Sequence, residues 1–180
     1  MSETTPTLSI YETKFAPSDK TDAILVVDGK KLHVNKALLS IHSDYFNTLF
    51  NSDFKEKSQA EIEIKDVNFE DFATLLSLVH PDPIKVTDTN AEKILELADR
   101  FLLPLAKNHL ESALMLGKMD KIEKIRIADK YGLEDLMIHG LDQYTSQTNF
   151  NGLRLTQKFV ELSDETKIKL FLRMLVLMGY

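Results

Sequence analysis

Residues 23–34 limit the folds open to this chain more than any other stretch. Ala23-Ile24-Leu25-Val26-Val27 is an apolar, β-branched run of strand length, and Asp28-Gly29 follows it. An Asp-Gly pair supplies φ > 0 at little steric cost, which a two-residue hairpin turn requires. The return run, Lys30 to Val34, places Leu32 and Val34 on one face and Lys31 and His33 on the other. These residues predict a β-hairpin.

Upstream, residues 1–20 are polar and rich in Thr and Ser, with Pro6 and Pro17. Leu8 and Ile10 alternate there before Phe15, which predicts a short docked segment. Downstream, Asn35 is placed to cap a short helix carrying Ala37, Leu38 and Ile41. Ser43 caps a second helix with Phe46, Leu49 and Phe50 inward, and a charged segment runs from Asn51 to Gln59. Glu61-Ile62-Glu63-Ile64 alternates as a half-buried strand does. Asn68 then caps a helix with Phe69, Phe72, Leu75, Leu76 and Val79 on one stripe, ended by Pro81-Asp82-Pro83.

From Thr89 the period is helical to the end, in segments of about 90–102, 104–116, 121–131, 133–146, 153–162 and 164–178. Pro104 suits a first helical turn, and Gly117, Gly132 and Gly179 suit C-terminal caps. Strands come early and helices follow, which predicts an α+β core with an α-helical tail. Leu97-Ala98-Asp99-Arg100-Phe101-Leu102-Leu103 recurs, 30 residues on, as Ile127-Ala128-Asp129-Lys130-Tyr131-Gly132-Leu133. Both stretches read as a helix end followed by a new helix, and two copies are too few for a solenoid. The last helix, Ile168 to Met178, is apolar on most of its circumference and is expected to be either buried against the preceding helical hairpins, the favoured reading, or held by a partner.

Composition narrows the functional classes. With no cysteine, disulfides, zinc-thiolate sites and cysteine nucleophiles are out of reach. Met1 to Ile10 has neither the basic flank nor the apolar run of a signal peptide. Leu170 to Met178 is interrupted by Arg173 and falls short of the roughly 20 residues that span a bilayer. A net charge of −6 disfavours a nucleic-acid backbone as the main partner. The densest basic run interleaves Lys121, Lys124, Arg126 and Lys130 with Asp120, Glu123 and Asp129, and reads as a solvated helix face.

No constellation supports catalysis or a cofactor. In Ser40-Ile41-His42-Ser43-Asp44, residues one or two apart on a helix do not face each other, so no relay forms. His33, His80, His109 and His139 lack metal-ligand spacing, the six glycines form no phosphate cradle, and Asp19, Asp22 and Asp28 make no calcium loop. Catalytic, metal and cofactor-binding residues are therefore expected to be none.

The order of elements carries specific residues. Thr21-Asp22-Ala23 through Val34-Asn35-Lys36-Ala37-Leu38-Leu39-Ser40, then Ser43-Asp44-Tyr45-Phe46 and Leu49-Phe50, resemble the aspartate, hairpin and "H-K-x-x-L" signature of the BTB (POZ) family. Ile64-Lys65-Asp66-Val67, Phe69-Glu70-Asp71-Phe72 and Leu95-Glu96-Leu97-Ala98-Asp99-Arg100-Phe101 continue the resemblance, with Asn35 standing where many members carry histidine. It implies an N-terminal segment over 1–19, a BTB domain over 20–117 and a helical, 3-box or BACK-like extension over 118–180. The fold class implied is α+β, a small early sheet flanked by helical hairpins, with an all-α extension.

The function implied is that of an intracellular, non-enzymatic adaptor, in cytoplasm or nucleus, that pairs with itself and links a substrate protein to a cullin-3 ubiquitin ligase. Asp22 and Lys36 resemble the charged pair at the floor of the BTB dimer interface. Phe54-Lys55-Glu56 resembles the hydrophobic-x-Glu motif that engages the N-terminal domain of cullin-3, Phe54 as anchor and Glu56 ordering the loop. Two other readings are compatible with the same residues: a self-associating or co-repressor-type scaffold without a ligase, and a Skp1-like linker. Nucleic acid and membrane are not expected partners.

Overall fold

The computed structural model describes residues 9–51 and 61–179. They fall into two compact units, one formed by residues up to Val86 with Lys93–His109, the other by Thr87–Glu92 with everything from Leu110.

In the first unit, β1 (Ala23–Val27) and β2 (Lys30–Val34) pair antiparallel with Leu25 opposite Leu32. Asp28 and Gly29 both take positive φ, 50° and 74°, the signature of a primed hairpin turn. Ala23, Leu25, Val27, Leu32 and Val34 are buried, as the alternation requires. β3 (Glu61–Glu63) pairs parallel to β1, Leu25 opposite Ile62, in the order β2-β1-β3. A parallel neighbour demands a crossover. Between β2 and β3 lie α2 (Lys36–His42) and α3 (Asp44–Asn51).

Short polar side chains start these helices. Asn35 accepts from the Leu38 amide at 2.8 Å while its own amide donates to the Lys20 carbonyl. Ser43 accepts from the Phe46 amide at 3.1 Å and donates to the Phe101 carbonyl at 2.6 Å. α4 (Phe69–Ser77) is capped by Asn68, and the turn residue Asp28 also accepts from its Phe69 amide at 3.2 Å. Phe46, Phe72 and Phe101 meet at the centre, Phe46 stacked on Phe101 with centroids 5.9 Å apart and Phe72 edge-on to Phe101 at 5.0 Å. α2 buries only Leu39; Ile41 stands 77% exposed.

The N-terminal segment docks as helix, not as alternating strand. Ser9 and Glu12 form a reciprocal capping box that starts α1 (Ile10–Lys14). Phe15 is then buried edge-on to the His80 ring, and its carbonyl accepts from the His33 amide at 3.0 Å.

α5 (Ala91–Arg100) and α6 (Pro104–Leu116) give residues to both units. The second unit adds α7 (Lys121–Tyr131), α8 (Glu134–Asp142), α9 (Gln157–Val160) and α10 (Asp164–Met178). α7 and α8 approach closely at Gly140, where a Cβ would lie 2.7 Å from Ile125. α8 stops at Asp142, short of the expected 146, and the expected helix over 153–162 is broken into a 3-10 turn (Leu153–Leu155) and α9. Gly152 at φ 71° and the Thr156 cap interrupt that stretch, so local turn chemistry outweighs the apolar period.

Three further expectations are corrected. Gly132 and Gly179 do cap helices at φ 64° and 87°, but Gly117 has no positive φ; a Cβ there would clash only with the end of the exposed Asp88 side chain, which would have to move aside. The basic run is not a solvated face: Lys124 is 2% exposed and donates to the Met115 and Gly117 carbonyls at the end of α6, while Arg126 bridges Glu92 and Glu123. Nor is α10 buried as expected: Thr166 and Leu170 are buried and Met174, Leu175 and Leu177 half-buried, but Ile168, Phe171, Leu172, Val176 and Met178 are exposed.

Candidate partner-docking surface

The first unit places Asp22 and Lys36 together. Asp22 follows the Ser18–Thr21 turn, and its amide pairs with the Val34 carbonyl at 3.0 Å. Its carboxylate accepts from the Lys36 backbone N–H at 2.7 Å, so it acts on the start of α2, where the positive end of the helix dipole lies. The Lys36 ammonium lies over the Phe50 ring, 5.9 Å from its centroid. Two apolar side chains stand exposed on elements of this unit, Ile41 on α2 and Ile10 on α1.

Phe54 and Glu56 lie outside the described residues, between the end of α3 at Asn51 and the start of β3 at Glu61. What the structure adds is a residue that the motifs did not single out. Leu102, just past α5, has φ 49°, and its side chain is 53% exposed. The helix ends in a tight reversal: the Leu103 amide returns to the Ala98 carbonyl at 2.9 Å. Such a reversal favours glycine in the left-handed position. Leu102, Asp44, Asp99, Pro104 and Lys107 line a cleft of about 360 Å³, with the Lys107 ammonium 2.8 Å from the Asp99 carboxylate.

The signal for Leu102 was in the internal repeat. Its counterpart is Gly132, at φ 64°, and the Leu133 amide returns to the Ala128 carbonyl at 2.9 Å. Two helix ends share one geometry, and one of them carries leucine where the other carries glycine. A large apolar side chain is thus held outward on a strained backbone, which points to recognition of a partner.

The residues weighed for catalysis are engaged otherwise. Ser43 is buried with its hydroxyl satisfied by the Phe46 and Phe101 backbones. His80 is half-buried beside Phe15, and burial followed by the charge of Lys14 pushes its pKa down. Among the described residues no group of three or more His, Asp or Glu is arranged to hold a metal ion.

The BTB/POZ domain family model matches residues 11–116. The chain belongs to the BTB/POZ family. It is 38% identical over 166 residues to a BTB/POZ domain-containing protein of Caenorhabditis elegans, covering 91% of this chain and 52% of that protein. It is 34% identical to BTB and MATH domain-containing protein 36 of the same organism, covering 87% of this chain and 50% of the relative. The chain therefore spans about half the length of these curated relatives. Among solved structures, the BTB domain of human gigaxonin overlaps with 51% of this chain and 75% of its own, at 25% identity and a TM-score of 0.44. A BTB domain is a protein-interaction module. Among the described residues no helix is long and apolar enough to cross a membrane.

Proposed function

We propose that this chain is an intracellular, homodimeric BTB adaptor that brings a bound protein to a cullin-3 ubiquitin ligase, with residues 20–117 as the BTB domain and 118–180 as a 3-box or BACK-like extension. The observation that carries the reading is Leu102, an exposed leucine held in the left-handed region at the edge of a cleft. A solvated loop has no use for leucine in that conformation, whereas a partner that buries it does.

In this reading Phe54 is a second apolar anchor and Glu56 orders its segment, both toward the N-terminal domain of cullin-3. No residue of the chain performs ubiquitin chemistry; the effect is proximity between the bound protein and an active site borne by the ligase. A twofold assembly through the Asp22–Lys36 region adds bivalent capture without new contacts.

Calorimetry against the cullin-3 N-terminal domain tests the reading. Phe54→Ala is expected to weaken binding by about 2 kcal/mol or more, and Glu56→Lys to weaken it as well, with melting temperatures unchanged. A wild-type chain that is dimeric yet binds no cullin-3 supports instead the scaffold without a ligase. Unchanged affinity in both folded variants removes the Phe54–Glu56 motif from the mechanism.

A further inference from the structure

The second unit carries a groove that neither the twofold pairing nor the cullin reading uses. Gly152, in the left-handed region, turns the chain into the 3-10 segment Leu153–Leu155, and α9 and α10 follow. Between these elements lies a groove of about 450 Å³, walled by Leu153, Phe159, Phe171 and Met174. That volume is in the range of ligand sites, and the wall is apolar and aromatic as such sites are. Phe171 is 53% exposed, and Leu155 and Val160 on the adjoining segments are exposed too. A helix that served only to close a core would bury these side chains.

Charge identifies what fits. The chain carries a net charge of −6, yet no carboxylate lines this groove, and Arg154 and Lys167 both do. The Arg154 guanidinium has no hydrogen-bond or ion-pair partner among the described residues. Lys167 has only a 3.6 Å pairing with the solvent-exposed Asp164. An unpaired guanidinium beside an aromatic wall presents a planar, bidentate donor to a carboxylate.

We propose that this groove docks a short acidic segment of a partner protein, with one large apolar side chain seated against Phe159 and Phe171 and a flanking carboxylate on Arg154. The inference rests on the adaptor reading only in that such a groove would hold the recruited protein; its chemistry stands without cullin-3.

Panning a random displayed-peptide library on the full chain tests it. Enriched sequences should combine Leu, Phe or Trp with Asp or Glu. A fluorescein-labelled peptide of the most enriched sequence should lose at least tenfold in affinity with Arg154→Glu and with Phe171→Ser, and should weaken as salt is raised. Both side chains are exposed, so circular dichroism melts should match wild type; if Phe171→Ser fails to fold, Arg154→Glu alone decides. Three results would overturn the proposal: no enrichment over a blank surface, enrichment of neutral or basic peptides, or affinity unchanged in the folded variants. Loss of self-association in Phe171→Ser would do so too, since the groove would then be a contact between copies. Cullin-3 binding by the same variants is read separately. Peptide capture without cullin binding sinks the ligase reading alone, and cullin binding without peptide capture sinks the groove alone.

Discussion

Leu102 sits in a conformation that costs an L-residue about 1–2 kcal/mol, at the spot where Gly132 serves the matching helix end. Replacing it by glycine removes an aliphatic side chain and relieves that strain together. Leu102→Gly should therefore leave stability within about 1 kcal/mol of wild type, whereas Leu103→Ala, truncating a buried neighbour, should cost about 2–5 kcal/mol. If Leu102 is an anchor, the glycine variant should also lose cullin-3 affinity without losing its fold. Chemical denaturation beside calorimetry reads both quantities, and a large stability loss in Leu102→Gly would make Leu102 a packing residue. The position was legible in the 30-residue repeat, but only once the helix ends were known to share a left-handed residue. His80 offers a second test. Its depressed pKa means that the fold holds the neutral ring, so its contribution is fully present above the unfolded pKa of about 6.5 and is lost as pH falls through that value toward the folded pKa. The urea midpoint should fall between about pH 7.5 and pH 5.5, and His80→Phe, which keeps the ring against Phe15, should flatten that slope.

Elements whose signals are local were legible, and those set by distant partners were not. Asp28-Gly29, Asn35, Ser43 and Asn68 place a turn and three helix starts because each acts on a backbone group within a few residues of itself. The parallel pairing of Ile62 with Leu25 has no such signal, since it depends on how residues 36–51 cross back over the sheet. The run Lys121–Lys130 misled for the same reason. Alternating charges describe a solvated face unless the end of another helix takes one of them, and the carbonyls of Met115 and Gly117 take Lys124. Removing its ammonium leaves those two half-buried acceptors without their donor. Lys124→Met, close in volume, is thus expected to cost about 1–3 kcal/mol, where the same change on a solvated face would stay within about 0.5 kcal/mol. Thermal denaturation separates the two. α10 shows the converse error, because its apolar circumference exceeds the stripe that its neighbours cover, so burial could not be inferred from hydropathy alone.

At the scale of the whole molecule, self-pairing decides among the functional readings. The bond from the Asp22 carboxylate to the Lys36 amide fixes the start of α2, and the same helix carries Ile41 toward solvent. A β-branched aliphatic left so exposed, on the helix whose start carries Lys36 and is held by Asp22, suits the proposed isologous interface: an apolar centre for affinity and charges for register. We expect light scattering behind gel filtration to give twice the 20.6 kDa chain mass at micromolar protein. Ile41→Asp should halve the mass without lowering secondary structure, because the side chain touches little of its own unit. Lys36→Glu should weaken pairing by setting like charges together at the Asp22 end, and this loss should shrink as salt is raised. Groove variants at Arg154 should leave the mass untouched. A wild-type chain that runs as a monomer at every concentration would remove bivalent capture from the mechanism and favour the Skp1-like linker, which binds as a single copy. Dimeric wild type with an equally dimeric Ile41→Asp would keep the adaptor but move its twofold axis off α2.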